Sequence, residues 1–538
     1  MKKTMARTIT AAIGISMLIA GCNKTVSKPV DTTKVDNTPI HIKMYTHYDW
    51  AQDSGAPDPE KYPLVKYLKE KKNVTYEFIS SNGNADQKLS TMLASNDLPD
   101  LIMTDRGTTV ERLRKAGKLI ALDDNFKKYP NFQKQVPKTT WGMLASSDGK
   151  HYQMPDWYVA PGGFGGNSGW VLQGKIYQEM GSPKVDTLDE MEKYLRDVKA
   201  KYPSIIPLDP GAGQDVSVMG FIWAGMGEER EAGWLGANNR YYVDKNEVKS
   251  LVSDPTFKDA MHMSNRWFRD KLITQDAMTQ KTEQFEEKLA NGKAAVWTQG
   301  DILGQGTKNL DLWKKKDPQA DYKVIMPPHT QGLDASKIKL QGWNVLGWNV
   351  SIITTSCKNP EKLYAYCDWQ TGPEGSSLNT FGPKGQYWTE LDSNGLPNTS
   401  PDFFKLGDSD KAKLTDKKGA GVAFLNFGNK SDEKFATPEE KAKWAYKAQH
   451  EILSKTLRED TDLNALQPDP QSEESQIRTK TEDMWKQSLA KILFAKNDVE
   501  VDNIIAKLTD DLNKAGNDKL MKLYNKIWEE NKKAMGVK

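Results

Sequence analysis

Cysteine and histidine are scarce in this sequence, its charge is nearly balanced, and no hydrophobic run is long enough to span a bilayer. Each shortage removes a class of function. Three of the 538 residues are cysteine, and one of these, Cys22, lies near the N-terminus. Cys357 and Cys367 alone make no disulfide framework in a chain of this size. Cys367 sits in a helical pattern beside Leu363, Tyr364 and Trp369, which favours a buried free thiol over a bridge. The six histidines (41, 47, 151, 262, 329 and 450) show no HxH or HExxH spacing, so no metal site is expected. Asp408-Ser-Asp410 begins like a calcium loop, but Ala412 and Lys413 stand where a ligand and a glycine belong. No GxGxxG, GxxxxGK[ST] or GxSxG pattern occurs, so no nucleotide cofactor or serine nucleophile is expected. Lysine and arginine number 75 against 72 acidic residues. Lys2, Lys3 and Arg7 belong to the N-terminal head, and the rest of the chain is neutral. A neutral chain offers no footprint for nucleic acid and no polybasic patch for anionic lipid.

The N-terminus carries a positive signal. After the basic head, Thr8 to Ala20 is uncharged and mostly apolar, and the stretch closes on Ile19-Ala20-Gly21-Cys22. That is the layout of a secretory signal, too short for a membrane span of roughly 20 apolar residues. A cysteine directly after small residues is a bacterial lipobox. Residues 1–21 are expected to be a lipoprotein signal peptide, and Cys22 the lipidated first residue of the mature chain. Residues 22–38, with no periodicity, read as a flexible tether. The expected location is the extracytoplasmic face of the bacterial cell membrane, held by lipid. Sixteen tryptophans in so polar a chain suggest flat apolar faces at a binding surface.

From Ile40 the chain alternates strands and helices. Ile40, Ile42 and Met44 predict a strand, Tyr62–Lys71 a helix, and Val74–Ile79 a second strand. Ala85–Ser95, Leu101–Met103 and Val110–Ala116 continue as helix, buried strand and helix. This order argues a doubly wound sheet. The glycine-rich stretch Pro161–Gly169 reads as a crossover between lobes. Trp170–Gln173 then opens a new strand, and Thr187-Leu-Asp-Glu190 fits a capping box before a helix to Lys201. Asp254-Pro255 predicts another helix start, with Asp254 as its cap. Asn349–Ile353 reads as a strand and Pro360–Trp369 as a helix. The last hundred residues read as helices over 438–456, 476–494, 499–514 and 520–534.

Several segments resemble the solute-binding lipoproteins of bacterial carbohydrate ABC importers, in the large branch that binds oligosaccharides. Leu93-Ala-Ser-Asn-Asp-Leu-Pro-Asp-Leu-Ile102 is similar to that family's helix-to-strand turn. Ile120–Asp124 with Tyr129-Pro-Asn131, Lys175–Pro183, Asn291-Gly-Lys-Ala-Ala-Val296 and Phe381–Trp388 resemble later family segments in the same order. The resemblance spans nearly all of residues 40–530. It implies an α/β chain of the two-lobed, type II periplasmic-binding-protein-like fold. Each lobe would be a doubly wound sheet flanked by helices, with a ligand cleft between lobes and a helical C-terminal extension. The expected first lobe is residues 39–160 plus 340–395, and the second 161–339 plus 396–538. Alginate-binding members carry a calcium loop where this chain reads Tyr202–Pro210, so no calcium site is carried over.

The resemblance further implies a non-enzymatic receptor, expected to be a monomer, that hands an oligosaccharide to the transmembrane subunits of an ABC permease. In doubly wound sheets ligand sits beyond the carboxyl ends of the strands. Tyr48, Asp49 and Trp50 follow the first strand, and Asp105 and Arg106 follow the third. Their carboxylates and guanidinium suit hydroxyl groups, and the aromatic rings suit the C–H face of a pyranose. In the second lobe, Trp223, Trp297, Gln299 and Asp301 are candidate site residues. Trp157, Trp343, Tyr387 and Trp388 lie near crossovers and turns and join them. Trp267, Trp369, Trp444, Trp485 and Trp528 are expected to pack helices instead. The main alternative is an extracellular glycoside hydrolase, which would need two carboxylates flanking the scissile bond about 5–9.5 Å apart.

Overall fold

The computed structural model describes residues 38–48, 54–156, 158–159, 166–211, 217–230, 240–344, 346–347, 349–415, 426–427, 438–463, 466–469 and 471–535. The signal, Cys22, nearly all of the tether, Asp49, Trp50, Trp157 and most of the glycine crossover lie outside these residues.

In chain order the first strands are β1 (Ile40–Thr46), β2 (Val74–Ser80), β3 (Leu101–Asp105), β4 (Met154–Pro155) and β5 (Tyr158–Val159). There follow β6 (Gly169–Gln173), β7 (Ile206–Asp209), β8 (Tyr241–Asp244), β9 (Glu247–Ser250), β10 (Ala294–Gln299) and β11 (Tyr322–Ile325). The remainder are β12 (Gln341–Trp343), β13 (Asn349–Ile353), β14 (Trp388–Leu391), β15 (Pro397–Thr399), β16 (Asn426–Phe427) and β17 (Leu457–Glu459).

Two sheets form the two lobes. The first has the order β2-β1-β3-β13-β4, parallel across β2, β1 and β3 and antiparallel at β13 and β4. Side-chain alternation places Ile42 and Met44 in the core on one face, with Leu64, Phe132, Tyr364 and Trp369. Tyr45 faces the other way, among Leu89, Ile102, Val110 and Val350. The second sheet has the order β11-β6-β10-β7. Trp170, Leu208 and Trp267 fill one side of it, and Phe285, Trp297 and Tyr322 the other.

The helical tail is part of the second lobe. Trp485, Leu489 and Ile492 of helix Glu473–Phe494, and Leu508 and Leu512 of helix Asp498–Ala515, complete its larger core. The last helix, Asn517–Met535, packs Leu520, Tyr524 and Trp528 onto Tyr241 and Val248 of the β8–β9 hairpin. The expected packing role of Trp267, Trp369, Trp485 and Trp528 is observed: all four are buried. Trp444 is partly buried against Tyr322.

Three expectations change. Residues 396–414 pack on the first lobe, not the second: β15 pairs with β14, and Phe403 and Leu414 enter the first-lobe core beside Phe381. The helix expected from Asp254 starts at Phe257, because the Asp254 carboxylate accepts from Thr256 N at 2.8 Å and Thr256 Oγ1 at 2.6 Å, turning the chain first. The expected helix over 438–456 is broken into Pro438–Ala442, Trp444–Lys447, a π turn at Ala448–Ile452 and a 3₁₀ turn at Leu453–Lys455. Cys357 and Cys367 are free thiols, the second fully buried.

Candidate functional site

The crossovers fix which sheet edges face each other. The chain leaves the first lobe after β4 and re-enters it at β13, while β6 begins directly after the first crossover. The facing edge of the first sheet therefore comprises the ends of β1, β3 and β4 and the start of β13. On the second sheet it comprises the ends of β7 and β10 and the start of β6, where Gln299 lies opposite Gly169. Two short parallel ribbons, β5–β16 and β12–β17, join the crossovers. The Gln341 Oε1 accepts the N–H groups of both Asn167 (2.9 Å) and Ser168 (3.2 Å), tying the second crossover to the first.

Tyr48 and Asp105 meet at the first-lobe edge, where the Tyr48 hydroxyl donates to the Asp105 carboxylate. Burial, then this hydrogen bond, raises the Tyr48 pKa. Asp105 is exposed, and register places Asn349 beside it across the ladder. Arg106 feels the charge of Asp460, which directly follows β17. Burial pushes its guanidinium down to about 10, partly offset by that aspartate. Nearby, Thr108 Oγ1 meets Gln467 Oε1 at 3.3 Å, and Lys115 pairs with Asp469. The two lobes thus touch through polar groups beside the edge.

The second-lobe edge holds Gln299, whose Oε1 is buried without a partner and whose stem packs against Gly211. Gly211 is fixed in turn by Asp209, whose Oδ1 accepts from Gly211 N at 3.0 Å and Gln280 Nε2 at 2.7 Å. Burial raises the Asp209 carboxyl, with Lys288, 3.3 Å away, opposing it.

Other expected site residues have structural posts. Trp297 is fully buried between Phe285 and Tyr322, with no face left for a sugar. Trp388 is also enclosed, its Nε1 donating to the Gly382 carbonyl at 2.8 Å. Tyr387 leans on Phe403. Trp223 is buried, and the Arg230 guanidinium lies 4.4 Å from its ring centroid. The cavity beside Trp223 is about 30 Å³, room for water but not for a pyranose. The Asp301 Oδ1 accepts from Gly304 N at 3.0 Å and Asn167 Nδ2 at 2.7 Å, so this residue caps helix Ile302–Lys314 and pins the crossover. Trp343 lies in β12, on a crossover ribbon.

Two edge residues were absent from the expected set. Asp156 and Asn349 are fully buried, and each keeps polar atoms without a partner. The available signal was a polar residue opening the buried strand Asn349–Ile353, and an aspartate directly after β4. Among the described residues, no group of three or more His, Cys, Asp or Glu is arranged to hold a metal ion.

Comparison with known proteins agrees with this fold. The chain is 22% identical to the fructooligosaccharide ABC transporter substrate-binding protein FusA of Streptococcus pneumoniae over 401 residues, 70% of each chain. It is also 22% identical to the melibiose/raffinose/stachyose-binding protein MelE of Bacillus subtilis, over 55% of this chain and 63% of that one. Among solved structures, the alginate-binding protein AlgQ2 without calcium ion superposes with a TM-score of 0.67 at 17% identity, covering 92% of this chain and 99% of that one. FusA in complex with kestose gives the same TM-score and identity, over 91% and 99%. Both are type II periplasmic-binding-protein-like structures, and this chain shares that fold. Residues 53–376 match the family described as bacterial extracellular solute-binding protein, and the chain belongs to that family.

Proposed function

We propose that this protein is the lipid-anchored, extracytoplasmic receptor of a carbohydrate ABC importer, and that it closes its two lobes on an oligosaccharide. The observation that carries the reading is the first-lobe edge. There Tyr48, Asp105, Asp156 and Asn349 bring hydrogen-bonding groups together beside the crossovers, and Gln299 ends a second-lobe strand next to the first crossover. Asp49, Trp50 and Trp157 adjoin these residues in sequence and Trp343 precedes Asn349 by six positions; all four are proposed as further contacts, the tryptophans as stacking faces. Relatives whose names specify fructooligosaccharides and raffinose-type sugars support a neutral glycan as ligand. Closure follows from contacts made to both lobes at once, because ligand shifts the equilibrium only through groups it touches in the closed form alone. The closed receptor then docks on the permease subunits, and Cys22 holds the chain at the membrane.

A thermal-shift screen of the Cys22→Ser protein against neutral and uronic oligosaccharides, with the sugars recovered and sized, tests this. A ligand at a hundred times its Kd adds about 2.7 kcal/mol, an easily read shift. Stabilisation with intact sugar is expected. Cleaved sugar would instead identify a glycoside hydrolase.

A further inference from the structure

The chain that follows β17 has two sides of different chemistry. Leu463 and Leu466 are buried with Tyr241, Val248, Ile477 and Tyr524 in the core of the helical tail. Asp462 Oδ2 accepts from Trp528 Nε1 at 2.7 Å, the Asp462 carbonyl from Asn531 Nδ2 at 2.8 Å, and the Leu463 carbonyl from the Tyr241 hydroxyl at 3.0 Å. Gln467 Oε1 accepts from Arg478 Nη1 of helix Glu473–Phe494 at 2.7 Å. This stretch is built into the second lobe. Its polar side chains also reach the first. Helix Thr108–Lys115 is fixed there by its buried Val110 and Leu113. The Thr108 hydroxyl donates to the same Gln467 oxygen at 3.3 Å, and at the other end of the helix Lys115 pairs with Asp469. Arg106, two positions before the helix, feels the charge of Asp460. Thr108 and Lys115 are seven residues apart, so they share one face of the helix, about 10 Å from each other along it. Gln467 and Asp469 flank the buried Pro468, in the sequence Gln467-Pro-Asp-Pro470. A residue before proline is biased to extended backbone, and alternate residues of an extended chain point the same way.

We propose that residues 460–463 and 466–469 form a clasp. It is a proline-stiffened strap of the second lobe that grips helix Thr108–Lys115 of the first and holds the lobes in the arrangement competent to bind sugar. The two sides of the strap divide the work. Apolar burial and the Asp462 hydrogen bonds keep it on the tail whatever the lobes do. The grip on the first lobe is polar and in part exposed, with the Lys115 and Asp469 side chains 35% and 50% accessible. Such contacts are weak singly and screened by salt, so they bias the lobe arrangement without welding it and still let sugar enter and leave. Proline lowers the backbone freedom lost in holding Gln467 and Asp469 on the helix. A ligand that touches both lobes binds with an apparent affinity scaled by the fraction of molecules already competent. The clasp raises that fraction, so affinity is set in part by residues that never meet the sugar. The effect on affinity rests on the receptor reading above; the effect on lobe arrangement does not.

The test combines small-angle scattering of the sugar-free Cys22→Ser protein with titration calorimetry against kestose and raffinose. Thr108→Val and Lys115→Glu together remove both grips from the first-lobe side and leave the bonds of the strap to its own lobe intact. Neither side chain is buried, so the melting temperature is expected to stay close to that of the parent protein. The distribution of lobe separations is expected to broaden, and affinity for the sugar that binds to fall by about threefold to tenfold. Lys115→Arg keeps the pair with Asp469 and is expected to match the parent in both measurements. An unchanged scattering profile in the double variant would overturn the clasp, as would affinity that holds or rises. A lowered melting temperature with unchanged scattering would reduce these contacts to ordinary packing and overturn it too. A parent protein that binds neither sugar counts against the receptor reading, while the scattering comparison still decides whether the strap holds the lobes.

Discussion

At the scale of single residues, burial alone does not decide the charge of a carboxylate; its partners do. Burial would raise the Glu192 carboxyl, but hydrogen bonds from Arg266 (2.7 Å), Arg196 (2.7 Å) and Trp267 Nε1 (2.8 Å) outweigh it and hold it down at about 2. Asp368 has backbone and amide donors and, among the described residues, no ion pair; burial outweighs these and the charge of Lys134 and pushes it up to about 6. The two therefore act on stability with opposite signs. The Glu192 contribution is present above its unfolded pKa and lost as pH falls towards about 2. Glu192→Gln is expected to cost roughly 2 kcal/mol at neutral pH, with the deficit shrinking below pH 4 in denaturant titrations. The Asp368 contribution is full below its unfolded pKa and lost as pH rises through about 6. Asp368→Asn keeps the acceptor for the Phe132 N–H and should melt higher than wild type at pH 7.5, with the gain vanishing near pH 4. The same principle limited the reading of tryptophans. All six residues of β10 are buried, so Trp297 lies in a strand with no polar alternation to show which face it presents. Asp301 carried a legible signal that was given another meaning: an aspartate directly before a helix is an N-cap before it is a ligand group.

At the scale of elements, the local chemistry was largely readable. The Thr187 capping box has both of its hydrogen bonds, and helix Leu188–Lys201 begins and ends as the sequence predicts. Thr187→Ala is expected to lower stability by about 1 kcal/mol, read from the denaturant midpoint. Gly292 explains part of the Asn291–Val296 motif. It turns the chain into β10 with φ +59, and a Cβ there would lie 2.4 Å from the Trp313 ring. Gly292→Ala combines left-handed strain with overpacking and should cost at least about 2 kcal/mol in the same assay. Reading by pattern failed where tertiary contacts interrupt a helix. Gln449 Nε2 donates to the Gly166 carbonyl at 3.3 Å from within the π turn, and Leu453 lies against Gly166, so the segment over 438–456 bends to hold the first crossover.

At the scale of the whole molecule, the crossovers and the helical tail govern how the lobes relate. Gln341 joins two crossovers through one carbonyl oxygen, and Gln341→Leu would leave two backbone N–H groups unpaired. That variant is expected to melt a few degrees lower and to show a broader distribution of lobe separations in small-angle scattering; an unchanged profile would contradict this role for Gln341. The tail reaches both lobes: its last helix packs on the second lobe and also approaches helix Lys138–Leu144 of the first. Sequence by itself determined the strand and helix alternation, the capping box and the order of motifs, because these rest on periodicity and on contacts within a few residues. It also carried the N-terminal signal reading, which would be tested by loss of membrane retention in Cys22→Ala. Only the tertiary structure decided that residues 396–414 join the first lobe and that Trp223, Trp297 and Trp388 are core. The unpaired groups of Asp156 and Asn349 came to light the same way. Each of these depends on which distant segment covers a side chain, and burial by a distant segment leaves no local pattern in the chain.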